Sequence, residues 1–104
     1  MQKRKKMNGM LLKYPAIFDD RENRQGTYTV TFPDVPCAIT EGRGMDAAVY
    51  NAKAALKLGL YGKREFPASS SLEKAQQDNP DKVVKMIEID TDTLEEGVTD
   101  ASND

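Results

Sequence analysis

The sequence contains no histidine at all, and that absence removes a large part of enzyme chemistry. Ser–His and Cys–His nucleophile pairs, histidine metal sites and imidazole acid–base catalysis are all excluded. Cysteine occurs once, at Cys37, so no internal disulfide can form and a reducing cytoplasm fits best. No apolar stretch approaches the ~20 residues that a membrane-spanning helix needs. The basic start, Met1-Gln2-Lys3-Arg4-Lys5-Lys6, is not followed by the apolar core of a signal peptide. Apolar residues are scarce overall. With 38% hydrophobic and 31% charged residues, the 104-residue chain suffices for one small core with polar ends. The net charge of −2 argues against wholesale electrostatic binding of nucleic acid.

What is present divides into a basic arm (1–9), a compact α/β domain (10–90) and an acidic tail (91–104) in which no fold is expected. Met10, Leu12, Tyr14, Ala16 and Phe18 alternate along one face of a first strand. Pro15, on the other face, cannot donate to a ladder, which predicts an edge position or a bulge. A polar loop runs from Asp19 to Gly26. In a second strand Tyr28, Val30 and Phe32 alternate with Thr27, Thr29 and Thr31, and the threonine face is predicted to meet solvent or another chain. Pro33-Asp34-Val35-Pro36 makes a rigid connection to a short third strand over Cys37–Glu41.

After Gly42-Arg43-Gly44, the residues Met45, Ala48, Val49, Ala52, Ala55, Leu56 and Leu60 recur at spacings of three and four. This is the one strong helix, with Gly44 at its N-cap and Gly62 at its end. Gly59 in its last turn predicts either a close approach to the sheet or early fraying. A connector follows over residues 66–71, then one or two helical turns at Leu72–Gln76, closed by Asn79-Pro80. The last strand reads from Lys82 to Asp90. The order β-β-β-α-β predicts a two-layer α+β domain with one main helix on one sheet face. The crossover rule predicts that the last strand lies parallel to a neighbour.

Candidate chemistry is thin. Cys37 has no histidine to activate it and is expected to be a buried structural thiol. Asp19, Asp20, Asp34 and Asp46 could in principle bind a divalent metal for nuclease chemistry. Turn chemistry accounts for the first three, so neither a metal nor a cofactor is predicted. Gly42-Arg43-Gly44 lacks a following Gly-Lys-Ser/Thr and is no phosphate loop. Lys3, Arg4, Lys5 and Lys6 are the candidate nucleic-acid contact, a salt-sensitive one. At the other end no lysine or arginine follows Lys85. There Glu88, Asp90, Asp92, Glu95 and Glu96 form a candidate surface for a basic partner.

Several short motifs occur in a telling order. Tyr14-Pro15-Ala16 precedes a polar loop, and Gly26 leads the strand that ends in Phe32-Pro33-Asp34-Val35-Pro36. Thr40-Glu41-Gly42 then precedes the alanine-rich stretch Ala47 to Leu56, and Pro67, Ser70-Ser71-Leu72 and Val83–Asp90 complete the series. Together, over roughly residues 10–90, they resemble the HicB family of antitoxins. The resemblance implies a partial, catalytically dead ribonuclease H-like fold with a mainly antiparallel sheet. It also implies a partner, a HicA-type toxin, which is small and basic, has a double-stranded-RNA-binding-like fold and cleaves messenger RNA. On this view Tyr14, Pro15, Tyr28, Phe32, Pro33, Asp34, Pro36 and Gly42 are mainly structural. Two positions depart from the pattern: Cys37 stands where the family usually has glycine, and Gly44 where it usually has a hydroxyl cap. Many members add a C-terminal DNA-binding module. Here 14 residues follow Asp90, without helical periodicity or a basic face, and direct DNA binding through such a module is not expected.

The reading that results is a cytoplasmic, bacterial or phage antitoxin-like ribonuclease inhibitor that is not an enzyme. Exposed strand edges and a single helix layer predict that it self-associates as a homodimer. Two readings from other classes stand beside it. One is a degenerate ribonuclease H-like metal-dependent nuclease, and the other a stand-alone oligomeric interaction module without a toxin.

Overall fold

The computed structural model describes residues 9–21 and 25–97. Four strands, β1 (Leu11–Asp19), β2 (Thr27–Thr31), β3 (Ile39–Arg43) and β4 (Val83–Asp90), form one antiparallel sheet in the order β3-β2-β1-β4. Between β3 and β4 lie helix α1 (Met45–Leu60) and the short helix α2 (Leu72–Asp78), and a 3-10 turn (Thr91–Thr93) follows β4. The architecture is the two-layer α+β domain that the sequence predicts.

Helix α1 begins where Gly44 supplies a backbone at φ 86°, a region open mainly to glycine. Alanine then favours helix, and Ala48, Ala52, Leu56 and Leu60, four apart, are buried against the sheet. They meet Tyr14, Ala16 and Phe18 of β1, Val30 of β2, Phe32, and Ile87 and Ile89 of β4 in one core. Phe18 and Tyr28 add an edge-to-face contact with ring centroids 6.3 Å apart. At its far end α1 stays helical through Gly59. A Cβ there would lie 3.2 Å from Val35 and 3.3 Å from Ala38, so Gly59 marks a close approach rather than fraying.

The other sheet face is partly covered. Ser71 caps α2, its hydroxyl accepting from the Lys74 N–H at 3.0 Å, and Ala75 of α2 packs on Ile17 and Val84 in a small second cluster. The threonine face of β2 does not lie fully open. Thr29 and Thr31 line a groove of about 490 Å³ with Ile17, Pro33, Pro36 and Ile39, and Asp19 and Lys82 are also on its wall.

Three expectations are corrected. Strand β4 runs antiparallel to β1, not parallel to a neighbour, because α1 is not followed directly by a strand. The connector and α2 carry the chain back across the domain before β4 begins, which reverses its direction. Strand β1 is central rather than an edge, yet Pro15 is accommodated. Pairing with β2 covers only Ile17–Asp19, so at Pro15 the strand has a neighbour on one side alone, across from Met86. Finally, the chain does not lose its fold at Asp90. Leu94 packs against the core, and Gly97 sits on α1 so tightly that a Cβ would fall 2.6 Å from the Ala54 carbonyl oxygen and the Leu58 nitrogen. The rest of the acidic tail, residues 98–104, and the basic arm, residues 1–8, lie outside the described residues.

Candidate partner-binding surface

The acidic residues singled out in the sequence gather at the end of β4 and just beyond it. Glu88 is exposed in the strand, paired in register with Lys13 of β1. Asp90 turns the chain: its Oδ1 accepts from the Asp92 N–H at 2.9 Å, and its carbonyl accepts from the Thr93 hydroxyl at 2.8 Å. These are local bonds of the kind that make Asp a turn residue. Asp92 is half-buried, with Oδ2 enclosed and without a hydrogen-bond partner among the described residues. Gly9 lies against it, where a Cβ would come 2.6 Å from that oxygen. Glu95 and Glu96 are exposed, and Glu96 pairs with Lys57 of α1 at 3.0 Å. The five carboxylates therefore divide into two roles. Asp90 builds the turn and Asp92 is enclosed against Gly9, while Glu88, Glu95 and Glu96 are exposed.

Of the carboxylates weighed for metal chemistry, Asp19 and Asp34 are engaged elsewhere, while Asp20 and Asp46 stand exposed. Asp19 accepts the Arg21 backbone N–H at 2.9 Å and pairs with Lys82 at 3.3 Å and Arg21 at 3.4 Å. The Arg21 N–H above all, helped by the Lys82 and Arg21 side chains, holds its carboxyl below its ordinary value, although desolvation pushes the other way. Among the described residues no group of three or more cysteines and carboxylates could hold a metal ion. Lys3, Arg4, Lys5 and Lys6 lie outside the described residues. Cys37 is exposed rather than buried, since it stands on the turn ahead of β3; its thiol reaches the Gly59 carbonyl at 3.7 Å.

The motif residues meet around the connector between α1 and α2. Buried Tyr14 donates its hydroxyl to the Pro67 carbonyl at 2.6 Å, and burial, then the nearby charge of Asp34, push its ionisation upward. Asp34 accepts from the Ser70 N–H at 2.7 Å and the Ser70 hydroxyl at 2.8 Å. Phe32 is buried in the core, Tyr28 packs on its margin, and Pro33 and Pro36 stand exposed on either side of Asp34 and Val35. Gly42 lies inside β3, not in a turn before the helix. Sequence reasoning missed the Ser69 hydroxyl, which caps the Lys13 carbonyl at 2.6 Å and covers the side of β1 that β2 leaves open. The serine-rich connector was the only signal of it. Truncation of Asp34 to alanine would strand both Ser70 donors. Charge-assisted bonds of this kind support a loss of about 2 kcal/mol, to be read as a lowered midpoint in thermal or urea unfolding.

The described residues thus form a small sheet-and-helix domain with exposed carboxylates at the end of β4 and in the segment after it, and with motif side chains engaged in packing and in tying down the connector. The comparisons place that domain in a family. The chain belongs to the HicB-like antitoxins of bacterial toxin–antitoxin systems, whose family model matches residues 14–101. That match extends past Asp90, as the folded segment through Gly97 does. Among solved structures, a toxin–antitoxin complex from Streptococcus pneumoniae matches with a TM-score of 0.60 and 25% identity, over 79% of this chain and 71% of that one. The N-terminal domain of the Burkholderia pseudomallei antitoxin HicB matches with a TM-score of 0.56 and 24% identity, over 73% of this chain and 95% of that one. Against the Burkholderia pseudomallei antitoxin HicB itself the same 73% of this chain spans 60% of the other. No curated protein matches the chain. No helix among the described residues is long and apolar enough to cross a membrane.

Proposed function

We propose that this protein neutralises a small, basic, RNA-cleaving toxin of the HicA type by occlusion, performs no chemistry itself, and works in the cytoplasm as a homodimer. The observation that carries the reading is the outward set Glu88, Glu95 and Glu96, on a fold with the family's motif residues in structural roles. A toxin that cuts RNA must present positive charge where the phosphates lie. An inhibitor that offers carboxylates to that surface competes for it directly, and long-range attraction speeds the encounter. The folded segment through Gly97 holds Glu95 and Glu96 beside α1, so part of this charge is presented on a fixed frame and needs no ordering on binding.

The test is neutralisation of Glu88, Glu95 and Glu96 together to glutamine, leaving Asp90 to hold the turn and Asp92 in its enclosed place. Association with a HicA-type toxin should slow by roughly tenfold at low salt and lose most of its salt dependence, while dissociation changes little. Stopped-flow or surface-based kinetics at two ionic strengths reads this. Unchanged association with an unchanged salt slope rejects these residues as the docking charge.

A further inference from the structure

The sheet has two edges, and they are not alike. At β3 the strand is five residues long, and its central carbonyl, Glu41, already accepts the Asn51 side-chain amide at 2.9 Å. At β4 the strand is eight residues long and pairs with β1 alone. Its hydrogen-bonding phase is fixed by two contacts. The Thr91 N–H donates to the Met10 carbonyl at 3.0 Å, whereas the Lys13 carbonyl turns away from β4 toward Ser69. In an antiparallel ladder bonded and non-bonded pairs alternate. Lys85, Ile87 and Ile89 therefore face β1, and Val84, Met86 and Glu88 direct their N–H and C=O groups outward. Those outward groups have no hydrogen-bond partner among the described residues. An open edge of this length is a template for another strand.

We propose that the β4 edge joins two copies of this chain, antiparallel about Met86, into one eight-stranded sheet. The proposal rests on the homodimer reading above and names its surface. Charge favours this occupant, and it favours a pairing centred on Met86 over one centred on Glu88. Strand β4 and its approach begin basic, with Lys85 and with Lys82, whose ammonium also pairs with Asp19, and end acidic, with Glu88 and Asp90. An antiparallel copy lays the basic start of one strand against the acidic finish of the other, twice, as an isologous interface requires. Centred on Met86, the pairing sets Asp90 opposite Lys82 and Val84 opposite Glu88, and no like charges stand directly opposite. A shift that centres on Glu88 puts the two Glu88 carboxylates face to face, which cross-strand energetics disfavours. Parallel pairing would stack like charge on like charge. The bonded Met86 pair adds two backbone bonds across the axis.

The experiment uses the full chain alone. Sedimentation velocity over rising concentration should show a monomer passing to a dimer. Met86→Pro removes only an outward N–H, a place where an edge strand tolerates proline. That variant should keep its circular dichroism and melting temperature, yet weaken the dimer by more than about tenfold. Should Met86→Pro fail to fold, a second variant decides. Met86→Cys with Cys37→Ser places two thiols across the axis on backbones about 5.5 Å apart, within disulfide range. Mild oxidation should give a covalent dimer, and Glu88→Cys in the same background should not. A wild-type chain that stays monomeric overturns both the dimer and its surface. A wild-type dimer that survives Met86→Pro and leaves Met86→Cys uncrosslinked overturns the surface only.

Discussion

Replacing Gly42 with alanine should cost about 3 kcal/mol or more, a larger loss than overpacking usually brings. The reason is geometric rather than conformational. A Cβ at Gly42 would stand 2.5 Å from both the Cα and the nitrogen of Ala48 and 2.8 Å from the Ala47 carbonyl carbon. All three are backbone atoms of the first turn of α1, so no rotamer change can relieve the contact. Either the helix lifts from β3 or the strand bends, and each opens voids between Ala48 and Ala52 and the sheet. Asn51, which reaches the Glu41 carbonyl from the same helix, would lose its bond as well. Against a total stability of about 5–15 kcal/mol for a domain of this kind, the loss is severe. A fall in melting temperature of about 10–20 °C is expected. A shift of a degree or two would mean that the helix–sheet approach is looser than the structure shows.

How much of this was legible beforehand depends on the range of the interaction involved. The alternation Tyr28, Val30, Phe32 and the helical stripe from Met45 to Leu60 announced their elements, because local periodicity decides which face is buried. Gly44 and Gly62 marked the helix ends for the same local reason. Gly42 was legible as a motif residue but not in its role, which is to be the place where a helix touches a strand. Pro15 invited an edge assignment that holds only ahead of Ile17, where β2 pairing begins, since strand order is set by long-range pairing. The direction of β4 was hidden by the connector, whose course is fixed by Tyr14, Asp34 and Ser69 rather than by its own sequence. The fold beyond Asp90 was missed because the segment has no periodicity. Its place is set by one apolar residue, Leu94, and one glycine that fits the surface of α1. Of the candidate site, the identity of the carboxylates was visible in the sequence. Their division into an inward-held pair, Asp90 and Asp92, and three exposed charges was not.

Truncating Tyr14 to alanine should cost about 4 kcal/mol, within the range for losing a large aromatic from a core. Its ring is 99% enclosed among β1, β4 and α1, with a relative exposure of 1%. Tyr14→Phe separates the two parts of that cost. It keeps the ring and removes only the bond to the Pro67 carbonyl, for about 1 kcal/mol. The difference between the variants measures packing, and the phenylalanine variant measures how firmly the connector is tied. The same residue gives a pH signature. Burial and the Asp34 charge raise the Tyr14 ionisation in the folded chain. The unfolded chain thus loses this proton first, and stability falls as the pH rises above the ordinary tyrosine value of about 10. Tyr14→Phe should flatten that alkaline slope. Tyr14 and Asp34 also hold neighbouring points of one connector, at Pro67 and Ser70. Once either bond is gone the connector is freer, and the second loss should cost less than it does alone. Urea unfolding of Tyr14→Phe, Asp34→Ala and the double variant reads this coupling. Strict additivity would show that the two bonds fix independent segments.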